Sequence, residues 1–259
     1  MKPTRKTAIM TGSASGIGFE SARIFLGQGW NVVINGRSAS RLKHAIDQLN
    51  SSIMETMESH ESKTIDFRIV PVVGNIGDRN TGASLVSTAV QQFGRVDLLV
   101  NNAGTFSAKP FVEVSESDLD HFLHGNLKGT FLTTQAVVSQ MLNQAQHPNK
   151  TSSPAAVQGS PGSIVNIGTV LINHALTTSL AAELAPHRIR VNCVAPGIVR
   201  TPLHANADLD PLAKLAMIDR IGDAREIAEA IAYLTQAEFV TGHILHVDGG
   251  YVGGRRLST

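Results

Sequence analysis

The glycine-rich segment near the start of the chain limits the folds open to it most strongly. An apolar run predicts a strand over 6–11, and Thr11-Gly12-Ser13-Ala14-Ser15-Gly16-Ile17-Gly18 follows it and leads into a helical pattern at about 16–28. A second strand is predicted over 31–35. A glycine-rich turn between a strand and a helix lets a pyrophosphate approach the backbone and bind the N–H groups at the positive end of the helix. The segment therefore predicts a dinucleotide-binding βαβ unit, whose candidate binding residues are Gly12, Ser15, Gly16, Ile17 and Gly18.

Short apolar runs and helical patterns alternate along the rest of the chain. Further strands are predicted at 67–73, 97–101, 163–168, 189–194 and 243–247. Further helices are predicted at about 38–50, 79–93, 115–143, 172–185 and 223–236. This alternation is typical of a parallel sheet whose right-handed crossovers place helices on both faces. We expect one α/β domain over 1–259, a Rossmann-type doubly wound parallel sheet of about seven strands, with surface insertions at 51–64 and 144–162.

The composition excludes several classes of protein. Of the 259 residues 42% are hydrophobic and 17% are charged, which is typical of a globular chain. The formal charge of +1 without a basic stripe argues against a nucleic-acid partner, and no apolar stretch approaches the ~20 residues of a membrane helix. The one cysteine, Cys193, lies in an apolar run, which favours a buried inert thiol in a reducing compartment. We expect a cytoplasmic protein with no membrane contact, and we predict no metal site.

Two further motifs follow predicted strands. Asn101-Asn102-Ala103-Gly104 follows the strand at 97–101, and Pro196-Gly197-Ile198-Val199-Arg200-Thr201 follows the strand at 189–194. With the glycine-rich segment, they make the chain resemble the short-chain dehydrogenase/reductase family over almost its whole length. The resemblance implies hydride transfer between a nicotinamide cofactor and a small carbonyl or alcohol substrate. It also implies a homodimer or homotetramer, packed partly through the two long helices that flank the fourth and fifth strands.

The resemblance assigns cofactor contacts to both motifs. Asn102, Ala103 and Gly104 would pack against the ribose of the cofactor. The Ile198 backbone and the Thr201 hydroxyl, which follow Pro196 and Gly197, would hold the nicotinamide carboxamide. These residues are candidates for cofactor binding.

The end of the second predicted strand indicates which nucleotide is bound. Gly36 stands where an NAD-selecting Asp of the family would fall, and Arg37 and Ser38 follow it. A guanidinium can form a bidentate contact with the 2′-phosphate of NADP, and Arg41 is a weaker candidate for the same role. Asn75 and Ile76 resemble the pair that touches the adenine edge. NADP is therefore predicted over NAD, although a solvated turn arginine at position 37 is an alternative.

The expected proton donor is absent from the sequence. The family carries Tyr-x-x-x-Lys on the helix after the fifth strand, whereas neither Tyr233 nor Tyr251 has a lysine four residues later. Asn126 falls where the resemblance places an asparagine that supports a proton relay, and Thr169 takes the place of the family's serine. A surface role for Asn126 and a structural role for Thr169 are the alternatives.

Three interpretations of this absence are open. In the first, the protein is a reductase or dehydrogenase with a Tyr- and Lys-containing segment between Val170 and Asn173 that this sequence lacks. In the second, the chain binds NADP(H) without redox activity, as a sensor or structural subunit. In the third, another acid such as His174 replaces the tyrosine.

Overall fold

Nine strands and eight helices form the part of the chain that the structure, a computed structural model, describes: residues 5–56, 68–106, 109–147, 162–168, 172–204 and 208–253. The strands are β1 (Thr7–Met10), β2 (Asn31–Gly36), β3 (Ile69–Val73), β4 (Leu98–Asn101), β5 (Gly162–Ile167), β6 (Ile189–Pro196), β7 (Val199–Arg200), β8 (Gly222–Asp223) and β9 (Ile244–Val247). The helices are α1 (Gly16–Gly27), α2 (Ala39–Thr56), α3 (Arg79–Phe93), α4 (Glu116–Phe122), α5 (Gly129–Gln146), α6 (Ile172–Leu184), α7 (Asp210–Ala213) and α8 (Ala224–Gln236).

Seven of the strands form one parallel sheet in the order β3-β2-β1-β4-β5-β6-β9. The order reverses between β1 and β4, and α/β sheets bind ligands at such a point, beyond the carboxyl ends of the strands. The predicted doubly wound sheet of seven strands is confirmed. The short parallel pair of β7 and β8 and the single turn of α7 were not predicted from the sequence.

Each face of the sheet carries its own apolar core, because successive side chains of a strand point to opposite faces. In β1, Ala8 and Met10 belong to one core and Ile9 belongs to the other. The first core includes buried residues of α1, α2 and α8, and the second includes those of α3, α5 and α6. Sheet strands buried on both faces have continuous apolar runs, which is why the sequence located them well.

Parts of the predicted insertions at 51–64 and 144–162 belong to helices and to a strand. Residues 51–56 are the last turns of α2, whose buried Leu42, Ala45 and Leu49 are followed by Ile53 in the same apolar stripe. Residues 144–146 belong to α5 and Gly162 begins β5. The remainder of each segment, 57–64 and 148–161, lies outside the described residues.

The described part of the connection from β5 to β6 includes α6, while residues 169–171 lie outside the described part of the chain. Helix α6 has 13 residues, and β5 and β6 are neighbouring parallel strands paired from Gly162 with Ile189 to Ile167 with Val194. A helix of this length rises about 20 Å, which is enough to return the chain along the sheet. β5 and β6 are therefore paired in parallel although the sequence has no Tyr-x-x-x-Lys segment.

Within the described ranges, no helix combines the length and the apolar character needed to cross a membrane.

Candidate active site

The glycine-rich turn lies at the carboxyl end of β1 and in close contact with the loop after β4. Gly12 has a φ of 61°, and a Cβ on it would lie 2.7 Å from the Cα of Ala103. A Cβ on Gly18 would lie 2.6 Å from Nδ2 of Asn102. Both distances exclude a side chain, so glycine is required for the two loops to meet. The predicted residues of the first and second motifs are thus brought together.

Thr11 fastens these two loops to each other, a role that the sequence reasoning missed. The backbone N–H groups of Asn102 and Ala103 both donate to the Thr11 hydroxyl at 3.0 Å. The Asn102 side-chain amide donates back to the carbonyls of Thr11 and Gly12, at 3.1 and 3.0 Å. The side-chain amide of Asn102 therefore binds the glycine-rich turn. These bonds fix the Asn102 backbone, which is the part predicted to contact the cofactor ribose.

Ser13 and Asn35 connect the turn to the neighbouring strands. The Asn35 N–H donates to the Ser13 hydroxyl at 3.0 Å, and that hydroxyl donates to the Met10 carbonyl at 2.7 Å. The Asn35 side-chain amide donates to the carbonyls of Val72 and Gly74, both at 3.1 Å. The carboxyl ends of β1, β2 and β3 are thereby held in a fixed arrangement.

A groove of about 460 Å³ opens between this turn and the start of α2. Arg41 lines it and its guanidinium donates to the Ser15 hydroxyl at 3.3 Å, while Ser40 and His44 add a second hydroxyl and an imidazole. Among the described residues, no Asp or Glu lines this groove. Arg37 is exposed and lies outside the lining, so the structure brings Arg41, the weaker of the two candidates, nearer to the glycine-rich turn.

The hydroxyl of Ser38 faces α2. It lies 3.0 Å from the Ser40 hydroxyl and accepts from the Arg41 N–H at 3.4 Å, as residues before a helix commonly do.

Asn75 and Ile76 follow β3 and are held within the protein. The Asn75 side-chain oxygen accepts from the Gly77 N–H at 3.1 Å, which closes a local turn. Ile76 is 5% exposed and its side chain packs against Gly129 at the start of α5. Their side chains position this loop, so any contact with adenine would fall to the loop backbone and the remaining Asn75 amide.

The segment after β6 lies next to the glycine-rich turn, at Gly16. The Gly197 N–H donates to the Val247 carbonyl at 3.0 Å and the Ile198 carbonyl accepts from the Gly222 N–H at 2.9 Å. Pro196 ends β6 beside Val247, and a Cβ on Gly16 would lie 3.4 Å from the Thr201 Cβ. The predicted carboxamide-binding segment is therefore adjacent to the predicted pyrophosphate-binding turn.

Asn126 lies in a π-helical turn, Leu123–Lys128, that separates α4 from α5. Its side-chain oxygen accepts from the Thr105 N–H and its amide donates to the Thr105 carbonyl, both at 2.8 Å. Such π turns inside helices often mark functional sites. Asn126 is half-buried and holds the loop that continues from Asn102, Ala103 and Gly104.

The remaining chemical candidates are Thr169, Tyr233, Tyr251 and His174. Thr169 lies outside the described residues. Tyr233 on α8 and Tyr251 are 56% and 54% exposed. The His174 ring lies 6.0 Å from the ring of His246 on β9, and burial together with the charge of His246 lowers the pKa of His174.

A buried polar network near the carboxyl ends of β4 and β5 was also missed by the sequence reasoning. The Asn101 amide donates to the Thr134 hydroxyl at 2.8 Å and to the Asn166 side-chain oxygen at 2.9 Å. The Asn166 amide donates in turn to the Thr177 hydroxyl at 2.9 Å. The network joins β4, β5, α5 and α6 just below the carboxyl edge of the sheet. Asparagines at the end of two neighbouring apolar strands are the signal that could have revealed it.

A family model described as enoyl-(acyl carrier protein) reductase matches residues 12–252. This chain belongs to the short-chain dehydrogenase/reductase family. The match covers the glycine-rich turn, both further motifs and the shortened crossover, and it confirms the resemblance drawn from the sequence. Membership makes the chain an oxidoreductase of a family that uses nicotinamide cofactors.

Individual relatives extend this likeness over the full length of the chain. The (2S)-[(R)-hydroxy(phenyl)methyl]succinyl-CoA dehydrogenase subunit BbsD of Thauera aromatica is 35% identical, over 95% of this chain and 96% of its own. The 3-oxoacyl-[acyl-carrier-protein] reductase FabG of Thermotoga maritima is 32% identical, over 97% and 100%. Among solved structures, ElxO with NADP bound is similar with a TM-score of 0.79 and 25% identity, over 96% and 100%.

Proposed function

We propose that this short-chain dehydrogenase/reductase binds NADP(H) and interconverts a small carbonyl compound and its alcohol. The observation that carries the proposal is the groove between the glycine-rich turn and α2, where Arg41 bonds to Ser15 without a carboxylate in the lining. The turn itself fits a pyrophosphate, because Gly12 and Gly18 present bare backbone at positions where a side chain would collide with the loop after β4.

The charge of this groove favours the 2′-phosphate of NADP over the bare ribose hydroxyl of NAD. An acidic residue at the end of β2 would accept from that hydroxyl, and Gly36 supplies none. Arg41 supplies a cation at the groove and Arg37 supplies an exposed one nearby in the sequence. The bound NADP of the similar ElxO structure supports the same preference.

A titration with NADPH and NADH tests the preference. We expect Arg41→Gln to weaken NADPH binding about 10- to 150-fold, because charge-assisted hydrogen bonds are each worth about 1.5–3 kcal/mol. NADH binding should change less than about threefold. Arg37→Gln measures the share of the second arginine, and Lys43→Gln removes an exposed cation of the same helix as a matched control. Equal weakening of NADPH and NADH binding by Arg41→Gln would show that the groove does not distinguish the 2′-phosphate from the bare ribose hydroxyl.

The missing Tyr-x-x-x-Lys favours a second candidate function, NADP(H) binding without turnover. NADPH oxidation is measured with a panel of carbonyl compounds that includes an acetoacetyl thioester, since the names of BbsD and FabG refer to thioester-linked substrates. Binding with turnover supports the first function, and binding without turnover supports the second. An intact mass equal to that of the 259-residue sequence shows that the measured protein holds no additional segment.

The homodimer or homotetramer implied by the family remains a prediction. Sedimentation velocity at several protein concentrations measures it directly.

A further inference from the structure

The loop after β4 and the segment after β6 contact each other through two aromatic rings. The ring centroids of Phe106 and His204 are 6.2 Å apart with an interplanar angle of 63°. Phe106 follows Thr105, whose backbone is held by Asn126. His204 ends a 3₁₀ turn, Pro202–His204, and its N–H donates to the Thr201 carbonyl at 3.0 Å. The two rings therefore belong to the stretches that directly follow the residues assigned to the ribose and to the nicotinamide carboxamide.

The imidazole of His204 is held in one orientation. Its Nδ1 lies 3.2 Å from the backbone carbonyl of Val199, which can only accept a hydrogen bond. Nδ1 must therefore carry the proton, and Nε2 of the neutral ring is left as an acceptor. Phe106 packs edge-on to the ring and limits its rotation. An imidazole with Nδ1–H fixed by a backbone carbonyl is suited to proton exchange at Nε2.

Two other histidines, His124 and His174, contact groups outside these two loops, and Nε2 of His174 is buried without a hydrogen-bond partner in the described part of the chain. Nε2 of His124 lies 3.9 Å from the carboxylate of Asp78 and beside Gly77, at the loop after β3. The ring of His174 lies against His246 on β9. Of these three histidines, only His204 connects the two loops that flank the predicted nicotinamide position.

We propose that His204 exchanges the proton with the substrate oxygen, in the role for which this chain has no Tyr-x-x-x-Lys. The inference rests on the proposed oxidoreductase function. In the oxidation direction the alcohol O–H proton would pass to Nε2 and the O–H bonding pair would form the second C–O bond, while NADP, when bound, would accept the hydride that leaves the carbon. In reduction NADPH, when bound, would supply the hydride that adds to the carbonyl carbon, the π pair would move to the oxygen, and the imidazolium would return the proton from Nε2 to that oxygen. Nδ1–H stays on the Val199 carbonyl in both directions.

Kinetics of His204 variants test the proposal. General acid–base catalysis contributes about 10²–10⁴-fold, so His204→Gln and His204→Ala should lower kcat by about 100-fold or more with NADPH affinity within about threefold of the unsubstituted protein. Added imidazole should restore part of the activity of His204→Ala. His187→Gln replaces an exposed histidine after α6 and should leave kcat unchanged. Thermal unfolding of each variant checks that the fold is kept.

A second measurement is independent of turnover. Imidazole ¹⁵N NMR, with the His204 signals identified by their loss in His204→Gln, should show the neutral tautomer protonated on Nδ1. A proton on Nε2 would overturn the proposal, as would a kcat for His204→Gln within threefold of the unsubstituted value or an effect on KM alone. Absence of turnover in the unsubstituted protein would contradict the oxidoreductase function itself and the role of His204 with it. Full turnover of His204→Gln would contradict only the latter.

Discussion

Replacing Thr11 with valine should loosen the cofactor cleft although the volume of the side chain is nearly unchanged. Thr11 is fully buried, and its hydroxyl accepts from the N–H groups of Asn102 and Ala103. Valine has the shape of threonine and cannot accept either bond. The hydroxyl also donates to the Val100 carbonyl at 3.4 Å, but that carbonyl keeps the bond from the Thr11 N–H, so the substitution mainly removes the partner of the two loop N–H groups.

The expected loss of stability follows from these contacts. Each N–H left without a partner costs about 1–3 kcal/mol, and the lower half of that range applies because both loop residues are partly exposed. Burying a methyl group in place of the hydroxyl returns about 0.8 kcal/mol. We expect a net loss of about 1–3 kcal/mol, equivalent to a Tm lower by roughly 2–10 °C in a domain of this size.

Three measurements on Thr11→Val and Thr11→Ser check this reasoning. Serine keeps the oxygen, so it should lose about 1 kcal/mol through its missing methyl group and keep NADPH affinity. Valine should weaken NADPH binding and speed hydrogen exchange at the amides of Asn102 and Ala103. Valine with native exchange rates and native NADPH affinity would refute the idea that the Thr11 hydroxyl holds the two loops together.

Two further predictions concern ionisable groups. Cys193 is fully buried and burial raises the pKa of its thiol to about 12, so iodoacetamide at pH 8 should leave the folded protein unmodified and alkylate it in denaturant; rapid labelling of the native protein would contradict this. The Arg220 guanidinium and the Asp223 N–H lower the pKa of Glu226 to about 2. Because the pKa in the folded state lies below that of the unfolded chain, the carboxylate stabilises the fold above about pH 4.5, and this stabilisation is lost as the pH falls towards 2. The difference in Tm between the unsubstituted protein and Glu226→Gln should shrink over that interval, and a difference independent of pH would exclude the ionised pair as its source.

The sequence predicted the sheet well because its strands are buried on both faces. Ile9 and Met10 serve opposite cores, so neither can be polar, and the resulting apolar runs are easily recognised. The end of α2 was missed because its last turns are polar, although Ile53 continues the spacing of Leu42 and Leu49 and could have extended the helix. Helix boundaries of this kind depend on packing that local composition does not display.

The π turn at Asn126 could not be read from the helical pattern that was assigned to 115–143. The turn is associated with a tertiary contact, two hydrogen bonds to Thr105, which lies 21 residues earlier. The relative importance of Arg37 and Arg41 could not be predicted from the sequence for the same reason. Both follow β2 closely in sequence, yet only the geometry of α2 shows which guanidinium reaches Ser15.

The short junction between β5 and α6 is a site at which the protein could be engineered without changing the glycine-rich turn. Three residues separate Gly168 from Ile172 in the sequence, while the described hydrogen bonds that hold the glycine-rich turn join Ser13 to Asn35 and Thr11 to Asn102 and Ala103. The junction is thus a natural splice point for protein engineering. A designed segment that carries a proton donor could be inserted at this junction and selected for activity. The residues proposed to bind the nucleotide would not need to be redesigned.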